Sequence, residues 1–98
     1  MKAIFISYNQ ALTERVMFIF EKCLVRGYTK WDTVHGRGSV DGDPHLGSHA
    51  WPELNSAILT IVDDDEKAEL ILKSFRKLNE KAPEQGIRIF TWNVESAV

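Results

Sequence analysis

The sequence predicts an α+β fold with the element order β-α-β-β-α-β, a four-stranded antiparallel sheet carrying both helices on one face. Two observations predict it: two apolar stripes of helical period, and four short strand-type runs that flank them in pairs. A third is the stretch 35–51, which holds four glycines, one proline and all three histidines and so disfavours any regular helix. It lies between the second and third strand-type runs and reads as a long polar loop, about 36–54, of the length that compact domains reserve for function.

The first strand, 2–8, is an apolar run around Ile4, Phe5 and Ile6, as in a buried central strand. From 10 to 26 the period turns helical. Leu12, Val16, Ile19, Phe20, Cys23 and Leu24 form one stripe, with Glu14 near the start and Lys22 and Arg26 near the end, as the helix dipole favours. Gly27 is the expected stop, since glycine readily takes the left-handed conformation of a helix C-terminus. The second strand, 28–35, alternates and is rich in β-branched and aromatic residues. The third, 56–62, is nearly continuous in apolar character and leads into Asp63, Asp64 and Asp65, an acidic run suited to capping a helix N-terminus. The second helix, 65–81, buries Ala68, Ile71, Leu72, Phe75 and Leu78. Residues 83–86 turn the chain into the last strand, 87–94, with Ile87, Ile89, Thr91 and Asn93 on one face.

Right-handed crossovers fix the hand of this split βαβ, or ferredoxin-like, arrangement. One sheet face then lacks helices and carries residues such as Phe5, Trp31, Phe90 and a neighbour of Trp92. A bare apolar face of that size is expected to be covered by another subunit or a ligand, so an oligomer is expected.

Ninety-eight residues, 44 % hydrophobic and 27 % charged, make one domain, 1–98, of ordinary globular composition. A formal charge of −2 offers no attraction to a polyanion, and closely spaced strand aromatics between basic residues are missing, so nucleic acid is not expected as a partner. No run approaches the ~20 apolar residues of a membrane span, the N-terminus has no signal-peptide pattern, and the single cysteine, Cys23, allows no internal disulfide. A cytoplasmic protein is expected. Catalytic signatures are lacking: there is no nucleophile elbow, no Cys-His spacing, and no arginine-bearing glycine loop after strand one, so the protein is not expected to be an enzyme.

Four segments, taken in order, carry a resemblance. Gly27-Tyr28-Thr29 opens the second strand; His35-Gly36-Arg37-Gly38-Ser39 closes it; Ile58-Leu59-Thr60-Ile61-Val62-Asp63-Asp64 leads into an acidic helix start; Gly86-Ile87-Arg88-Ile89-Phe90-Thr91-Trp92-Asn93-Val94-Glu95 ends the fold. Together they resemble the PII (nitrogen regulatory protein P-II) superfamily. The matching family features are a glycine-x-threonine, a Lys-Gly-x-Gly-Arg element at the root of the long T-loop, an apolar strand before an acidic helix, and a closing Gly-Lys-Ile-Phe-x-x-x-Val-Glu segment. The resemblance implies a homotrimeric signalling protein in nitrogen regulation that binds a small ligand between subunits and acts on a partner protein, such as a transporter or enzyme, through a mobile loop.

The departures are equally legible. The loop is shorter than the T-loop of nitrogen regulators and has no tyrosine to modify. Pro83-Glu84-Gln85-Gly86 stands in place of a glycine- and lysine-containing loop, and no basic Arg-x-Arg follows the last strand. The ATP site that the resemblance implies is therefore incomplete, since a triphosphate needs several converging donors.

The candidate ligand-binding residues are His35, Gly36, Arg37, Gly38, Ser39 and Arg88: glycine-rich turns make anion-binding concavities and the arginines add charge. The alternative is a divalent-metal site on His35, His45 and His49, or on two of them plus a carboxylate such as Asp41, Asp43 or Glu53, similar to the divalent-cation tolerance family that shares the trimeric fold. His45 and His49 stand four apart, a spacing usable by zinc on a helix or tight turn. Trp51 is the candidate partner-binding residue, because exposed tryptophan is favoured at interfaces.

Overall fold

In the computed structural model, which describes residues 1–38, 42–50 and 52–98, the chain folds as β1 (Lys2–Asn9), a 3-10 turn (Gln10–Leu12), α1 (Thr13–Lys22), β2 (Thr29–Val34), β3 (Asn55–Val62), α2 (Asp65–Lys81), a second 3-10 turn (Pro83–Gln85) and β4 (Arg88–Asn93). The strands form one antiparallel sheet in the order β2-β3-β1-β4. This is the expected ferredoxin-like topology: β3 inserts between β1 and β2, and β1 between β3 and β4.

Strand alternation sets the two sheet faces. Ile4, Ile6 and Tyr8 of β1 point to the helices, together with Ile58 and Val62 of β3. They pack on Val16, Ile19 and Phe20 of α1 and on Ala68, Ile71, Phe75 and Leu78 of α2. Phe20 sits at the centre, edge-on to Phe75 at 6.2 Å and to Tyr28 at 5.7 Å, a geometry aromatic quadrupoles favour. Cys23 is buried in this layer, as its place in the helical stripe predicts. Asp64 caps α2, its carboxylate accepting from the Glu66 N–H at 2.8 Å.

The end of α1 corrects the sequence expectation. The helix stops at Lys22 rather than at Gly27, and Leu24, placed in the buried stripe, is exposed with a positive φ of 59°. The Val25 N–H reaches back to the Phe20 carbonyl at 2.8 Å and the Leu24 N–H to the Glu21 carbonyl at 3.1 Å. These are the two bonds of a Schellman termination, here with leucine in the left-handed position. Lys67 Nζ donates to the Leu24 carbonyl at 2.6 Å and ties this turn to α2. Leu72, expected in the core, is half-buried.

The other sheet face has no helices. On it Phe5 lies between Leu59 and Phe90, Ala3 between Ile61 and Trp92, and Ser7 between Ala57 and Arg88, while Trp31 flanks Ala57. Trp31 (45 %), Ile61 (46 %), Phe90 (50 %) and Trp92 (49 %) all remain about half exposed. Trp92 itself, not only its neighbours, belongs to this face. Among the described residues no helix is long and apolar enough to cross a membrane.

Candidate functional site at the loop root

The register of β2 on β3 breaks between Trp31 and Val34, and the Asp32 carbonyl at the break is held by two side-chain donors. Gln10 Nε2 donates to it at 2.7 Å and Ser56 Oγ at 2.6 Å. Gln10 also reaches Thr33 Oγ1 at 3.3 Å, and its backbone N–H donates to the Leu54 carbonyl at 2.9 Å. An extra residue in one strand bends and twists it, so the end of β2 is aimed away from the sheet from a fixed base.

The loop then closes on itself. Gly36 and His45 form an antiparallel bridge: the Gly36 N–H donates to the His45 carbonyl at 3.0 Å, and the His45 N–H to the Gly36 carbonyl at 2.6 Å. Further along, the Gly47 N–H donates to the Glu53 carbonyl at 3.0 Å. The His45 ring is buried between Asn55 and Glu53: Nδ1 lies 2.6 Å from Asn55 Oδ1, and Nε2 lies 2.9 Å from Glu53 Oε2. Two of the glycines are required here. A Cβ at Gly36 would run into the Asn55 amide, and Gly47 has a φ of +66° with Leu54 Cδ2 only 2.6 Å from where a Cβ would stand.

The structure thus brings together Gly36, His45 and the candidate carboxylate Glu53 from the predicted residues and adds Gln10, Asn55 and Ser56. His35, Arg37, Gly38 and His49 surround this root, His35, Arg37, Gly38 and His49 all being exposed. Ser39, Asp41 and Trp51 lie outside the described residues. Arg88 stands on the opposite edge of the sheet, stacked 5.4 Å over the Phe90 ring. Three strand spacings separate β4 from β2, about 14 Å. A single protomer therefore does not gather the six proposed ligand residues around one point. The three histidines are not gathered either: among the described residues no group of three or more His, Cys, Asp or Glu converges in a way that could hold a metal ion. Both nitrogens of His45 already face partners within the root.

Asn55 and Ser56 carry a signal that glycine and histidine composition does not. They are polar residues opening an apolar strand, and both are buried. Buried polar side chains are almost always hydrogen-bonded, so such positions mark a local network.

The family model of the nitrogen regulatory protein P-II matches residues 1–98. No curated protein matches the sequence. Among solved structures, CPII from Thiomonas intermedia K12, a nitrogen regulatory PII-like protein bound to ADP, AMP and bicarbonate, aligns with a TM-score of 0.74 at 22 % identity, over 93 % of this chain and 82 % of that one. The apo form of CPII aligns with a TM-score of 0.66 at 19 % identity, over 95 % and 89 % of the two chains. A PII-like signaling protein from Thermus thermophilus aligns with a TM-score of 0.59 at 23 % identity, over 95 % and 85 %. At these identities the structural likeness is one of fold. With the family model spanning every residue and the sheet topology in agreement, the chain belongs to the nitrogen regulatory protein P-II family.

Proposed function

We propose that this chain is a small-ligand sensor that assembles as a homotrimer through its bare sheet face and signals to a partner protein through the 36–54 loop. The observation that carries the reading is the separation of the loop root from Arg88 on opposite edges of a sheet whose apolar face is open. Burying Trp31, Ile61, Phe90 and Trp92 against sister copies would bring the β4 edge of one protomer towards the β2 edge of the next. Gly36, Arg37 and Gly38 would then share a cleft with Arg88 of the partner subunit.

The ligand class that suits this cleft is an adenine nucleotide with one or two phosphates. Two arginines and the backbone N–H groups of the turn after Gly36 match a short phosphate chain, and the solved CPII structure carries ADP and AMP. Ligand contacts made with only one arrangement of the loop would shift it towards that arrangement and change the surface offered to the partner. The test is thermal unfolding with ADP, AMP and ATP, each with and without bicarbonate. At a concentration of 100 times Kd, ADP or AMP should raise stability by about 2.7 kcal/mol. The gain should fall in Arg37→Ala and in Arg88→Ala, and proteolysis within 36–54 should slow when nucleotide is present. Unchanged melting with every nucleotide would overturn the ligand assignment.

A further inference from the structure

The helical layer carries a feature that the sensor reading does not use. Between α1 and α2 runs a groove of about 820 Å³. Ile19, Cys23 and Leu78 form its floor, and Phe18 of α1 and Leu70 of α2 line it while remaining 64 % and 50 % exposed. Its other walls are Arg15, Lys22, Lys73, Lys77 and Lys81, with Glu14 as the single carboxylate. A chain of net charge −2 thus concentrates five cations around one apolar furrow.

The crowding of those cations along one furrow sets the groove apart. Lys30 pairs with Asp32 at 3.3 Å, Lys67 caps α1, and Arg88 covers Phe90. Among the described residues no carboxylate lies within ion-pair distance of any of the five groove cations. Lys73, Lys77 and Lys81 follow one another at four-residue steps on α2, a spacing at which like charges repel. Glu14 is the one carboxylate lining the groove, so an external anionic partner would relieve much of that crowding.

We infer that this groove is a docking site for an acidic amphipathic helix of a partner protein. A helix laid in a groove places apolar residues at i, i+3, i+4 and i+7 into it and leaves its flanks to meet the rims. Here the apolar side chains would enter between Phe18 and Leu70, and flanking carboxylates would meet the lysines. From Leu70 to Lys81 the α2 wall extends about 16 Å, which accommodates three turns of a partner helix. The concave form favours an inserted helix over a flat anionic bilayer. The groove lies on the helical side of the sheet, opposite the bare face, so assembly through that face would leave it accessible.

The test is a fluorescence-anisotropy titration of the full-length protein against a labelled peptide of about 15 residues. The peptide has leucines at i, i+3, i+4, i+7 and i+11 and glutamates on the flanks. Saturable binding is expected, weakening with salt. Lys73→Glu with Lys77→Glu, and separately Phe18→Ser with Leu70→Ser, should each weaken it about tenfold or more. These side chains are exposed or at the rim, and an unchanged circular dichroism spectrum and melting temperature would show that the variants fold; Lys73→Gln with Lys77→Gln provides a milder second pair. The proposal is overturned by no saturable binding up to about 1 mM peptide. It is equally overturned by unchanged binding in both variant pairs, or by equal binding of a scrambled peptide of the same composition. Partitioning onto phosphatidylcholine–phosphatidylglycerol vesicles without peptide binding would assign the groove to a membrane surface instead.

Discussion

The two faces of the sheet are built from the same four strands, yet one is finished and the other is not. On the helical face Ile4, Ile6, Tyr8 and Ile58 are fully buried within the protomer. On the bare face Trp31, Ile61, Phe90 and Trp92, of comparable or greater apolar area, stay half exposed. Strand periodicity assigns residues to faces but is silent about what covers each face. The difference teaches that the strand pattern places a large share of this sequence's apolar surface where nothing in the protomer covers it.

The largest effect should come from the finished face. Ile6→Ala should cost about 3 kcal/mol by urea unfolding, because it opens a cavity in a fully enclosed layer; a loss below about 1 kcal/mol would mean that the layer is loosely packed. On the bare face Trp92→Ala should cost about 2 kcal/mol per subunit contact. That loss should appear as a melting temperature that depends more steeply on protein concentration than in the parent. If its melting is instead concentration-independent and lowered as in a core variant, the contrast between the faces fails.

One corner of the bare face is already closed from within the chain. Asn55, on that face at the loop end of β3, is buried because the His45 ring lies against it. His45→Ala leaves the Asn55 amide without that partner and should cost about 1–2 kcal/mol, with faster proteolysis between 36 and 54. Unaltered cleavage would show that the clasp does not order the loop root. The smallest effect has the opposite sign. Leu24→Gly removes a side chain from a left-handed position and should stabilise the protein by about 1 kcal/mol, read as a raised urea midpoint at unchanged slope.

Much of this fold was legible in the sequence because its signals are local. The Ile4–Ile6–Tyr8 alternation, the Val16–Ile19–Phe20 stripe and the capping aspartates each act within a few residues. Leu24 misled for a physical reason: it continues the stripe at the right spacing, but the chain tolerates a leucine in the left-handed position where glycine is the usual choice. At the site, the glycines and His45 stood out by composition. Their pairing did not, because Gly36–His45, His45–Asn55 and Gln10–Asp32 join residues distant in the chain. The separation of Arg88 from the loop root, by contrast, follows from the expected strand order, which places β2 and β4 on opposite edges.

Everything proposed about ligand and loop depends on sister copies covering the bare face. Sedimentation equilibrium of the purified protein at about 10 μM tests this most directly, a concentration at which a specific oligomer with submicromolar affinity is assembled. The account predicts a single species of three times the 11.2 kDa protomer mass, reduced in Trp92→Ala. A stable species of one protomer mass would contradict it.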